Sequence, residues 1–327
     1  MCKTDPVFIN PFTDYGFKKL FGEESSKPQL ISFINAFLEL ENKDKIVDLE
    51  FRNLEKLGLN LTDRKLIYDI YCTDEKGNHI IVELQKAKQN YFKDRMVYYS
   101  SFLIQEQGVQ GLYYDPERPG KDKNGNDIMR NWNYKLKAIY CVGILDFELS
   151  PKTEKEEEIV KDDYLHIVKL KDQKNRLFYD KLTYVFVEMP KFTKKENEII
   201  TYLDKWFYFL NNLDSLTQIP EIFKDDEIIM EAFDKAKYLN LSPHEREQYF
   251  YSLKSYRDIF SIIETAEQKS FEEGIKEGIE KGKQERDIEI AREMLNNNID
   301  INLISTITRL SDKQLEEIKV DLKLSLE

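Results

Sequence analysis

Leu66-Ile-Tyr-Asp-Ile-Tyr-Cys-Thr-Asp-Glu-Lys-Gly-Asn-His-Ile-Ile-Val-Glu-Leu-Gln85 reads as two strands joined by a turn, because β-branched and aromatic residues fill both arms while Asp, Lys, Gly and Asn cluster between them. Turn length decides what this hairpin can do. With a two-residue loop of Glu75 and Lys76, Asp69 would face Val82, and Glu83 would point to the opposite side of the sheet. With a three-residue loop of Glu75, Lys76 and Gly77, Asp74 pairs with Asn78 and Asp69 falls directly opposite Glu83. Gly77 then takes the left-handed position that closes such a loop, where glycine carries no steric penalty. The sequence therefore prefers the second register.

In that register the Cβ atoms of Asp69 and Glu83 stand about 4.5–5.5 Å apart and Gln85 shares their face. The other face carries Tyr68, Ile70, Cys72, Ile80, Val82 and Leu84, giving one core side and one acidic side. Two carboxylates this close both stay ionised near neutral pH only if a cation or donor compensates them. Mg²⁺, or Mn²⁺ in its place, suits such a pair, since Mg²⁺ takes few carboxylate oxygens and keeps several waters, one of which can attack a substrate. The wet face of an ordinary hairpin would also carry polar residues. Ile80-Ile-Val-Glu-Leu84, however, is nearly continuous apolar sequence, as in a central strand covered on both sides, where a lone carboxylate is costly to bury. A metal site is the preferred reading.

Working outward, Asn10-Pro-Phe-Thr-Asp-Tyr-Gly-Phe-Lys-Lys-Leu-Phe-Gly22 predicts a short helix ending at Gly22, and a second helix follows, capped by Ser26, with Pro28 in its first turn and Leu30, Ile31, Ile34, Phe37 and Leu38 as its stripe. Ile46 to Phe51 predicts a strand. A helix is expected from about Lys88 to Gln107 with Tyr91, Phe92, Met96, Tyr99 and Phe102 inward, then a loop over residues 115–127 bordering the site. Apolar strands at Leu136 to Phe147 and Leu182 to Met189 flank a shorter one near His166 to Leu170. Helices on both sides of a mixed sheet make residues 1–213 an α/β domain, and residues 214–327 an all-helical C-terminal region. In that region Gly274, Gly278 and Gly282 recur every four residues, which suits either close approach of another helix, as in a homo-oligomer, or a solvated charged helix. Ala291 to Ile318 reads as short helices with a capping box at Ser311 and Gln314; a small helical cap is favoured over a helix-turn-helix.

Composition narrows the function. The 327 residues carry a formal net charge of −12, which excludes a general nucleic-acid coat but not an enzyme that acts on nucleic acid. No run approaches the roughly 20 apolar residues of a membrane span, and Met1-Cys-Lys-Thr-Asp-Pro6 has no apolar signal core, so a cytoplasmic protein is expected. Cys2, Cys72 and Cys141 share no ligand or redox spacing, and three scattered histidines argue against zinc or a histidine-based triad.

Asp69 followed by Val82-Glu83-Leu84-Gln85 resembles the active-site signature of the PD-(D/E)XK nuclease superfamily. Phe12-Thr-Asp-Tyr-Gly-Phe-Lys-Lys-Leu-Phe-Gly22, Val82-Glu-Leu-Gln-Lys-Ala87 and Tyr91-Phe-Lys-Asp-Arg-Met-Val-Tyr-Tyr99 resemble, more closely, the Rpn family of recombination-promoting nucleases, as does the glycine-striped tail. The resemblance implies a restriction-endonuclease-like core and Mg²-dependent hydrolysis of DNA, associated with recombination or mobile elements. Asp69 and Glu83 would be metal ligands with the Leu84 carbonyl, Gln85 would orient the attacking water, and Asp14 is a further candidate ligand that could equally cap its helix. Gln85 stands where the superfamily has lysine, so Lys86, Lys88 or Arg95 would carry charge toward phosphates, although a single arginine such as Arg95 more often pairs with an acid. Glu188 and Lys191 are assigned to structure. The alternatives are a nuclease-fold module without turnover that binds nucleic acid or protein, and an assembly protein built on the glycine-striped helix.

Overall fold

The computed structural model describes residues 6–38, 45–52, 55–56, 66–109, 112–114, 119–131, 133–149 and 163–324. Cys2 and residues 115–118 of the expected loop lie outside them. Strands β1 (Leu49–Phe51), β4 (Ile70–Asp74), β5 (His79–Gln85), β8 (Ile139–Leu145), β9 (Leu165–Lys171) and β10 (Leu177–Glu188) form one mixed sheet in the order β1-β4-β5-β8-β10-β9. β5, β8 and β10 run parallel at its centre, and the outer pairings are antiparallel. Two small ribbons lie outside this sheet, β2 (Glu55–Lys56) with β3 (Leu66–Ile67) and β6 (Leu112–Tyr114) with β7 (Met129–Asn131).

The hairpin takes the expected register, with Ile70 opposite Val82 and Thr73 opposite His79. Gly77 sits at φ +77°, and its N–H donates to Asp74 O at 2.9 Å. The lock is larger than one glycine. The Asp74 carboxylate accepts from Lys76 N at 2.9 Å, Asn78 N at 2.7 Å and Asn78 Nδ2 at 2.8 Å, while Asn78 Oδ1 accepts from Ala138 N at 3.0 Å, tying the turn to the start of β8. A Cβ at Gly77 would touch only the Lys137 side chain, at 3.6 Å, so a substitution there is opposed by backbone strain rather than crowding. Gly77→Val is expected to cost about 1–2 kcal/mol and to lower the melting temperature by roughly 2–8 °C in circular dichroism, with Gly77→Asn costing less.

Both faces of the sheet are covered, as the apolar run in β5 requires. On one face Ile70, Cys72, Ile80, Val82 and Leu84 pack under helices α1 (Asp14–Phe17), α2 (Lys27–Leu38), α4 (Tyr202–Asn212) and α5 (Glu227–Ala236). Phe21, Phe33 and Trp206 form the aromatic centre of that layer, with ring centroids 5.0–5.8 Å apart. On the other face α3 (Phe92–Val109) buries Phe92, Met96 and Leu103 against Tyr71, Ile81, Cys141 and Phe186.

Several expectations are corrected. Tyr68 belongs with Tyr71 and Ile81 rather than with Ile70 and Cys72, because the chain bends at Asp69 and strict alternation fails there. That face therefore holds a second core, with the acidic pair at its end. Ser26 does not cap α2; it closes a 3₁₀ turn and its hydroxyl donates to Lys19 O at 2.8 Å. The helix after β5 begins at Phe92, leaving Lys86 and Lys88 in the connection, and Tyr91 is 80% exposed at φ 63° rather than inward. The cap of α1 is Thr13, whose Oγ1 accepts from Gly16 N at 3.0 Å, which leaves the Asp14 carboxylate free of that duty.

The chain divides into two compact units, residues 1–259 and 260–327. The first includes residues 214–259, grouped by sequence with the C-terminal region: Phe223, Ile229, Phe233 and Tyr249 belong to the main core. Helix α6 (Pro243–Asn296) runs through the division. A Cβ on Gly274, Gly278 or Gly282 would meet nothing within 4 Å, so among the described residues these glycines accommodate no neighbour. In the second unit α7 (Ile301–Thr308) and α8 (Asp312–Leu324) close a small core of Ala291, Ile304, Leu310, Leu315 and Ile318. Ser311 and Gln314 form the expected capping box, with Ser311 N donating to Gln314 Oε1 at 3.0 Å. Among the described residues no helix is long and apolar enough to cross a membrane.

Candidate metal-dependent active site

The bend at Asp69 builds the site. Continuing the antiparallel ladder would pair Leu84 N–H with the carbonyl of residue 68. Instead Leu84 N donates to Asp69 Oδ2 at 2.8 Å, and Asp69 N donates to Glu83 Oε1 at 3.3 Å. Each acid is thus fixed by the backbone of the opposite strand. Leu84 points its carbonyl to the same edge as its N–H, beside Asp69, by the alternation of the ladder.

Glu83 is 3% and Gln85 7% exposed. Burial, then the charge of Asp69, pushes the Glu83 carboxyl up to about 8; Asp69 is also raised, chiefly by burial, with Asp14 adding to the shift and the Leu84 N–H, Lys18 and Lys86 opposing it. Gln85 Nε2 donates to Glu83 Oε2 at 3.4 Å, and its Oε1 accepts from Arg95 Nη2. Arg95 lies over the rings of Phe92 and Tyr99, with centroids at 5.7 and 5.6 Å, and also donates to Gln89. Its hydrogen-bond partners among the described residues are therefore amides rather than the acid expected from sequence, and the guanidinium frames the pair instead of lying free on the surface.

Lys86 crosses to the other side of the sheet, where its Nζ meets Asp14 Oδ1 at 2.6 Å. Lys88 is exposed in the connection before α3. Asp69, Glu83 and Gln85 are thus brought together, Arg95 joins through Gln85, and Asp14 and Lys86 form a separate ion pair whose charges act on Asp69. Asp146 was not singled out from sequence: it follows β8 directly, its N–H donates to Gln85 O at 2.8 Å and its Oδ2 accepts from Tyr256 Oη at 2.6 Å. Burial raises it to about 6. An acid closing the apolar run Ile139 to Leu145 was the available signal. Glu188 and Lys191 lie in a separate buried network with His166, whose Nε2 is 2.6 Å from Glu188 Oε1.

Among the described residues no three His, Cys, Asp or Glu side chains gather closely enough to enclose an ion. The donor chemistry fits a cation that needs fewer protein ligands: a buried and a half-buried carboxylate at one spot, both raised chiefly by burial, plus a backbone carbonyl.

A sequence model described as PD-(D/E)XK nuclease family transposase matches residues 11–266, and one described as the C-terminal HTH domain of the Rpn/YhgA-like nuclease family matches residues 284–320. No curated protein and no solved structure gives a match. The second match overturns the expectation of a simple helical cap: α7, a tight turn with Arg309 at φ 58°, and α8 belong to a helix-turn-helix. Any two short amphipathic helices would fit the same sequence pattern, so the pattern could not decide. The first match covers most of the chain, which therefore belongs to the PD-(D/E)XK nuclease family of transposases, with the helix-turn-helix ending of its Rpn/YhgA-like branch.

Proposed function

We propose that the protein is a Mg²⁺-dependent DNA endonuclease of a mobile-element or recombination context, with its cleavage centre at Asp69, Glu83 and Gln85. The observation that carries this is the crossed pair of hydrogen bonds, Leu84 N to Asp69 and Asp69 N to Glu83, which sets two carboxylates at the bend where β4 leaves the ladder.

Asp69, Glu83 and the Leu84 carbonyl would hold the ion, with Asp14 in reach once parted from Lys86. When bound, Mg²⁺ supplies an activated water and offsets charge on the phosphoryl oxygens. Glu83, whose carboxyl is pushed up to about 8, would have to release its proton to serve as a ligand. Gln85 acts as a tether: its amide joins Glu83 to Arg95 and so brings a fixed positive charge near the carboxylates, the service a motif lysine would give directly. Lys86, released from Asp14, and exposed Lys88 would meet backbone phosphates.

Supercoiled plasmid incubated with purified protein and Mg²⁺ is expected to be nicked and linearised, with no cutting in EDTA. Asp69→Asn should retain the circular-dichroism spectrum and lose cutting by at least about 10²-fold. Intact plasmid with the wild type, or equal cutting by the variant, would defeat the proposal.

A further inference from the structure

Asp14 also belongs to a second feature, a groove of about 550 Å³ between the start of the chain and the first turns of α6. Its walls are pinned. Tyr15 N donates to Ser252 Oγ at 3.0 Å, Tyr15 Oη to Glu245 Oε1 at 3.3 Å, and Lys19 Nζ meets Glu245 at 2.6 Å. Lys18 lines the groove too, and it has no hydrogen bond or ion pair among the described residues. Opposite stands Tyr251, 60% exposed, with exposed Phe250 beside it in sequence. Tyr251 is used neither by the carboxylate site nor by the core, and Lys18 touches the site only through its charge, which opposes the rise of the Asp69 carboxyl.

We propose that this groove holds an unpaired strand of DNA leading away from the scissile phosphate, with Lys18 on a phosphate and the Tyr251 ring stacked on a base. The inference rests on the reading of Asp69 and Glu83 as the cleavage centre, and Asp14 makes the two continuous. An unpaired strand fits better than a duplex for two reasons. An exposed ring can stack only on a base whose face is open. A duplex also brings two phosphate backbones, and here one unpaired cation stands beside the carboxylates of Asp14 and Glu23 on a chain of net charge −12. A single strand needs one phosphate contact and gains the rest from stacking. The substrate class is thus DNA with a locally open end, flap or bubble.

The test is fluorescence anisotropy with the full chain in EDTA, using a labelled single-stranded oligonucleotide and the matching duplex. Tyr251→Ala is expected to bind the single strand roughly 5- to 100-fold more weakly, with Tyr251→Phe near wild type. Duplex binding, served by the helix-turn-helix, should not change in either. Lys18→Ala should lower the salt slope of single-strand binding by about 0.7. Unchanged single-strand affinity in Tyr251→Ala, equal loss for both DNA forms, or no single-strand binding by the wild type would each overturn the inference. Plasmid cutting that depends on Asp69 would still stand in those cases, so a failure of the groove and a failure of the cleavage centre are distinguishable.

Discussion

Glu83→Gln is expected to abolish plasmid cutting by at least about 10³-fold and, in the same protein, to flatten the pH dependence of stability. The first effect follows from removing one of two anionic ligands. The second follows from burial. The Glu83 carboxyl is pushed from 4.5 up to about 8 in the folded chain, so between those values the folded state holds a proton that the unfolded state has lost. Stability of the metal-free wild type must therefore fall as pH rises across that window and level off above it. Gln at 83 has no such proton, and its melting temperature should change less over the same range. Mg²⁺ should act in the opposite sense on the wild type: the ion replaces the proton, so the rise in melting temperature that it gives should grow from pH 6 to 8 and vanish in the variant. Scanning calorimetry at pH 5 to 9 with and without Mg²⁺ reads both effects. A wild-type Mg²⁺ shift equal at pH 6 and 8 would contradict the assignment of Glu83.

Gly16→Ala should be among the most destabilising single-methyl additions. A Cβ at Gly16 would lie 2.1 Å from Asn10 O and 2.8 Å from Thr13 Oγ1, inside a knot where Asn10 Oδ1 accepts from Phe12 N at 2.8 Å and Thr13 Oγ1 donates to Asn10 O at 2.8 Å. The obstructing atom is backbone, so the segment must move as a whole. Loss of the Thr13 cap alone costs about 1 kcal/mol, and the displaced backbone should bring the total to roughly 3 kcal/mol or more. Asp14 would move with it. Gly274→Ala is the contrast: with nothing within 4 Å of its Cβ, it should raise helix stability by up to about 1 kcal/mol. Chemical denaturation of the two variants checks both signs.

The hairpin was legible because its information is local. Asp74, Gly77 and Asn78 lie within five residues, and their turn chemistry alone sets the pairing that joins Asp69 to Glu83. The strands at the centre of the sheet were legible for a similar reason, as apolar runs too short for helices. What failed was assumed regularity. Period-two alternation placed Tyr68 with Ile70, but the Asp69 carboxylate replaces a backbone carbonyl as acceptor for Leu84 N–H, and the strand turns there. Helical periodicity carried Tyr91 inward although the helix starts one residue later. Residues supplied from far along the chain were out of reach altogether. Lys18 acts on Asp69 by its charge from a turn far earlier in the chain, and Tyr256 meets Asp146 across 110 positions.

The turn lock has a consequence for how such a chain can vary in descent. Five steps separate Asp69 from Asp74 and five separate Asn78 from Glu83, so the two acids hang on arms of equal length from the Asp74–Asn78 clamp. Residues added between the clamp's two members disturb the contacts of Asp74 with Lys76 N and Asn78 N that set the register. One residue added to a single arm shifts one acid past the other and leaves a well-folded sheet without its pair. Indels in relatives should therefore be rare from Asp69 through the turn to Glu83, and a chain with unequal arms would be recognisable as a folded protein that has lost the carboxylate pair.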